Sequence, residues 1–110
     1  MRKFGRKKGQ RRAFKKSLAS NLIMQERILT TSARAKELRP IVEKMITTAK
    51  KNNLSSLRAL LSDLPKQSAT KIYYEIAPRY KDKKGGYTRI IKTEKRRKRD
   101  GVELSVIEFV

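Results

Sequence analysis

The sequence predicts an α+β fold: three to four helices packed on a small mixed sheet, formed by one short early strand and a C-terminal antiparallel hairpin, with a basic N-terminal extension. Three observations carry that expectation. Apolar residues recur at helical spacing through most of residues 11–80. From Tyr87 onward the pattern changes to β-branched runs and alternation, with Asp100-Gly101 as turn chemistry between them. Ahead of both, Met1 to Lys16 holds nine cations and no acid.

Composition limits what the chain can be. Its 110 residues, 37% of them hydrophobic, suffice for one compact domain with a modest core. Thirty Lys and Arg stand against ten Asp and Glu, a formal net charge of +20. Such a chain repels itself when folded, and a polyanion would relieve the repulsion. RNA, DNA and an anionic membrane surface all qualify by charge, but a membrane surface would want large apolar anchors, for which Phe4 and Phe14 alone are thin, so no membrane partner is expected. Without cysteine there is no disulfide frame or thiolate metal site, and without histidine the commonest general base and metal ligand are missing. No cofactor and no small-molecule substrate are therefore expected. No apolar run approaches the length of a membrane span, and the N-terminus lacks the apolar core of a secretory signal. The chain is expected to stay in the compartment where it is made.

Taken in order, residues 1–10 are read as a basic RNA-binding arm, flexible because they cannot bury enough apolar surface to fold alone and, being so one-sided in charge, suited to an anionic partner. Residues 11–110 form a single α/β body. A first helix is expected from Gln10 or Arg11 to Arg27, on the spacing of Phe14, Leu18 and Leu22. Ile28 to Thr31 has the composition of a buried strand, and Ser32 supplies an N-cap for a second helix. That helix buries Ala35, Leu38, Val42, Met45, Ile46 and Ala49, with a bend at Pro40. Asn53 caps a third helix with a stripe of Leu54, Leu57, Leu60, Leu61 and Leu64. Pro65 suits the first turn of a fourth, whose face carries Ala69, Ile72, Tyr73, Ile76, Ala77 and Tyr80 and which Pro78 should end near Ala77. Tyr73 is read as core rather than as a base-stacking platform. After a basic loop, Lys81 to Gly86, Tyr87–Thr93 and Val102–Val110 should form the hairpin, with five consecutive cations, Lys95 to Arg99, as an exposed tip.

The two densest basic blocks, Arg2–Lys16 and Lys81–Arg99, contain nine and ten of the thirty cations. They make candidate RNA-binding residues of Arg2, Lys3, Arg6, Lys7, Lys8, Arg11, Arg12, Lys15 and Lys16 at one end. At the other they add Lys83, Lys84, Arg89, Lys95, Arg96, Arg97, Lys98 and Arg99. Helix N-termini favour phosphate, which fits cations in the first turns of the first two helices, including Arg34, Lys36 and Arg39. Gly85 and Gly86 either permit positive φ or let an RNA backbone approach closely. No helix-turn-helix, zinc-finger or RNA-recognition-motif pattern is present, leaving phosphate contact and shape recognition.

Gly85-Gly86-Tyr87-Thr88-Arg89-Ile90-Ile91-Lys92, with Ala35-Lys36-Glu37-Leu38-Arg39, resembles the bacterial large-subunit ribosomal protein seventeen family. The likeness extends over Ser17–Ile23, Glu26–Thr31 and Ile41–Lys50, and closes on Val106–Val110. It implies a compact α/β body with an N-terminal extension, docked on large-subunit ribosomal RNA beside neighbouring large-subunit ribosomal proteins. It further implies the subunit's solvent side, towards the nascent-chain exit, and hence a cytoplasmic, ribosomal location. By the same resemblance Arg2, Arg6, Arg11, Arg12, Arg34, Lys36, Arg39 and Arg89 would touch RNA.

Two other classes compete. A nucleoid-type architectural protein would bend duplex DNA with apolar wedges, for which no clear candidate exists. An enzyme would need a constellation of catalytic groups. The ten acids form none, and Glu37, Glu43 and Glu103 read as surface residues of little energetic weight.

Overall fold

A computed structural model describes residues 8–110. Helix α1 (Lys8–Gln25) leads into strand β1 (Arg27–Thr31), which turns directly into helix α2 (Ser32–Lys50). Helices α3 (Leu54–Asp63) and α4 (Lys66–Lys71) follow. The chain then passes through a π-helical turn (Ile72–Ile76) and a 3₁₀ turn (Ala77–Tyr80) before strands β2 (Thr88–Arg96) and β3 (Glu103–Phe109). The sheet order is β1-β3-β2 and both pairings are antiparallel, so the α+β class holds while the expected mixed sheet is an antiparallel one.

Helix α2 packs against all three strands, α1, α3 and both irregular turns, and so lies at the centre of the molecule. Its predicted stripe is buried at Ala35, Leu38, Val42, Ile46 and Ala49, and Met45 packs at the edge of the core. The helix runs through Pro40 without a break; the proline lies on the exposed face, where the lost hydrogen bond opens to water. The N-cap is Thr31, not Ser32: its side chain accepts the Arg34 N–H at 3.3 Å. Ser32 is the first helical residue, and its hydroxyl lies 2.6 Å from that of the fully buried Ser105 on β3.

Other expectations are corrected by position in the fold. β1 is an edge strand in which Thr31 alone is buried, at the junction with α2; Ile28 and Thr30 are partly covered and Arg27 and Leu29 are exposed. Central β3 takes the burial instead, from Ser105 through Glu108. On α3, Leu60 is buried but Leu54 and Leu61 are exposed, because α3 touches only one side of the core. Asn53 does cap α3, through a reciprocal pair with Ser56. Pro65 is the N-cap of α4 rather than part of its first turn. The helical path also continues past Ala77 to Tyr80. The wide π turn, closed by Ala77 N–H to the Ile72 carbonyl, shifts the carbonyl that the Pro78 ring would strike. This keeps Ile72, Ile76, Ala77 and Tyr80 facing the core.

Candidate nucleic-acid interface

Among the described residues, three groups of cations stand out, set by which elements carry them. The first is α2 and the glycine loop. Every exposed charged residue of α2 is a cation: Lys36, Arg39 and Lys44, continued by Lys51 at its C-cap. Lys44 and Lys51 escaped the sequence reading because they sit outside the dense basic blocks; helical spacing from Lys36 was the available signal.

The loop after the 3₁₀ turn is strapped along the same helix. Glu43 Oε1 accepts the N–H groups of Gly86 and Tyr87 at 3.1 and 3.2 Å. Its Oε2 accepts the Thr88 N–H at 3.3 Å and the Thr88 hydroxyl at 3.1 Å. Two turns on, Lys50 donates to the Lys83 carbonyl and, at 2.9 Å, to the Tyr87 hydroxyl, with its ammonium 4.9 Å from that ring. Tyr87 itself is buried. The consequence is that Lys83 and Lys84, both exposed, are held beside the cations of α2. Gly86 has φ +67°, a left-handed conformation that glycine adopts freely; Gly85 has open space around its Cα.

Lys95 to Arg99 form the second group, the hairpin tip. All five are exposed. Arg97 pairs with Asp100 in a bidentate arrangement, its Nε 3.1 Å from Oδ1, which lowers the Asp100 pKa and raises that of Arg97. Arg96 donates to the Gly101 carbonyl at 2.9 Å, and Gly101 itself takes φ +65° to close the turn. Lys95, Lys98 and Arg99 complete the tip.

The third group lies where α1 meets the start of α2. Arg12 is exposed, Lys15 is buried, and Lys16 lies 3.9 Å from Asp63. Arg34 is half-buried with its guanidinium 4.9 Å from the Phe14 ring centroid. Lys8 and Arg11 lie on α1, whereas Arg2, Lys3, Arg6 and Lys7 fall outside the described residues.

Arg89 belongs to none of these groups. It sits on the sheet with its Nε 2.6 Å from Glu108, which also faces Arg27 at 3.5 Å. Glu43 is thus no idle surface acid, and Glu26, to which the sequence assigned no role, occupies the α1–β1 corner with φ +65°. Its carboxylate takes Arg79 and, at 3.3 Å, Lys71; the hydrogen bond from Arg79 is the main cause holding its pKa below the ordinary carboxylate range. Tyr73 is half-buried at the rim of a cleft of about 210 Å³ shared with Lys50, Asn52, Pro78 and Lys81.

The family model described as Ribosomal protein L17 matches residues 14–110. A large ribosomal subunit protein bL17 of Hydrogenobaculum sp. is 48% identical over 97% of this chain and 92% of its own length. The bL17 of Fusobacterium nucleatum is 50% identical over 99% of this chain and 94% of its own. That of Staphylococcus carnosus is 45% identical over 99% and 98% respectively. With the match spanning all described elements from within α1 to the last residue, this chain belongs to the ribosomal protein L17 family.

Proposed function

We propose that the chain is a structural component of the large ribosomal subunit that binds ribosomal RNA through phosphate contacts, on the nascent-chain exit side that the family resemblance implies. The observation that supports RNA most directly is the pairing of acids and cations. Glu43, Glu26 and Asp100 are each engaged with groups of the protein itself. The exposed charges of α2 and most of the tip are cations directed to solvent. Such a surface attracts a phosphate backbone without reading its sequence. Carried to this proposal from the sequence are Lys36, Arg39, Lys83, Lys84, Gly85, Lys95, Arg96, Lys98 and Arg99, while Asp100 holds Arg97; Lys44 and Lys51 join them. Arg12 extends the same role on α1, and Arg2 and Arg6, as the family resemblance implies, would add to it together with the neighbouring Lys3 and Lys7.

The test is a salt titration of binding to large-subunit ribosomal RNA, together with sedimentation alongside large subunits. Neutralising ~6–10 phosphates should cost ~10³–10⁵-fold in affinity between about 50 and 200 mM salt. A flat titration overturns phosphate-dominated binding. Equal affinity for duplex DNA, with bending, would place the chain among architectural proteins instead.

A further inference from the structure

We propose that the outer face of the sheet is a protein-docking surface, which inside the particle holds a segment of a neighbouring protein presenting aliphatic side chains beside a carboxylate. The inference rests on the reading of the chain as a large-subunit component. Strand register stacks the face in rows: Arg27–Glu108–Arg89, then Leu29–Val106–Ile91. Alternation turns the intervening Ile28, Ile107 and Ile90 to the opposite side, where they pack with the core. The outer row is thus aliphatic across all three strands, with Leu29 49% and Ile91 42% exposed on either side of Val106, which is buried between them at 8%. On a chain of net charge +20, an apolar row of this kind needs a reason.

Charge selects the occupant. RNA would need free cations, yet both arginines here face Glu108, which is 9% exposed in the middle strand. That leaves one net positive charge, too little for a run of backbone phosphates, and Leu, Val and Ile offer no flat surface for a base. A second copy would bring another +20 charge against the first. The chain's own residues 1–7 carry four cations and no acid, so the row repels them too. Two guanidinium groups share one carboxylate, leaving one positive charge over. A partner segment that sets a carboxylate there, with aliphatic side chains on Leu29 and Ile91, satisfies both rows.

The full chain, carrying the photo-crosslinker p-benzoylphenylalanine at position 29 or 91, is assembled into large subunits, purified by gradient and irradiated. A ribonuclease-resistant, protease-sensitive adduct to a second protein is expected from both positions, and an RNA adduct from the same probe at position 36. In parallel, Leu29→Lys and Ile91→Lys should keep the circular dichroism and free RNA affinity of the parent. Their retention on the subunit should fall by at least about tenfold. RNA adducts at 29 and 91, no adduct at either, or parental retention of both lysine variants would overturn the inference. Failure of the unsubstituted chain to enter subunits would instead overturn the large-subunit reading, and this one with it.

Discussion

Glu43 gathers three backbone N–H groups and a hydroxyl onto one carboxylate, so its removal leaves Gly86, Tyr87 and Thr88 without partners at the point where the loop meets β2. Hydrogen bonds to a charged acceptor are the stronger kind, and the buried Thr88 cannot turn to water. Glu43→Ala is therefore expected to cost about 1–3 kcal/mol in urea denaturation, with Glu43→Gln intermediate. A denaturation curve matching the parent would mean the loop stays in place without the strap. Glu26 gives a pH-dependent counterpart. Its folded pKa is depressed, chiefly by the Arg79 hydrogen bond, so its contribution is present above the ordinary carboxylate range and is lost as pH falls through the folded value. The site is over one-third exposed, so screening keeps the effect to about 0–1 kcal/mol. Glu26→Gln should be slightly less stable than the parent at neutral pH, with the difference closing in acid; a gap independent of pH would assign it to packing instead. Neither carboxylate was legible in the sequence. A spacing rule sees neighbours on one helix, whereas the partners of Glu43 lie more than forty residues away and those of Glu26 up to fifty-three.

Elements were legible wherever the apolar period ran long. The α2 stripe, the Asn53 cap and the hairpin are all recoverable from spacing and turn chemistry, because local propensity and tertiary packing agree there. Where they diverge, the structure follows packing. Leu54 and Leu61 share a helical stripe with Leu60, yet α3 has core on one side only, and a pattern cannot tell how wide the packed face will be. Likewise the π and 3₁₀ turns answer a conflict between Pro78 and a core face that continues to Tyr80. The cap of α2 is displaced by one residue because Ser32 has a better use in reaching Ser105, leaving Thr31 to serve as both strand end and cap. Thr31→Ala should then destabilise by about 0.5–2 kcal/mol and Thr31→Ser much less. Equal melting temperatures for Thr31→Ala and the parent would return the capping role to Ser32.

At the scale of the whole molecule, the basic character was plain from composition, but its distribution was not. Counting cations placed Arg89, Lys15 and Arg97 with the rest, whereas the fold gives Arg89 to Glu108, buries Lys15 and pairs Arg97 with Asp100. Helical geometry, conversely, adds Lys44 and Lys51 to a face that block density alone missed. The tip separates these two ways of counting. Lys95, Lys98 and Arg99 lie exposed beyond the core, so replacing all three with alanine removes charge and no packing. The triple variant should keep the parent's melting temperature, or gain slightly as self-repulsion falls. Its binding to ribosomal RNA should weaken, with the slope of log affinity against log salt shallower by about 0.7–0.9 for each phosphate the tip no longer neutralises. Arg97→Ala makes the contrast: it breaks the Asp100 pair, and the carboxylate it frees beside the remaining cations should change the slope by no more than the share of a single phosphate. If the triple variant keeps the parental slope, the tip does not touch phosphate, and binding belongs to the α2 face and the N-terminal cations alone.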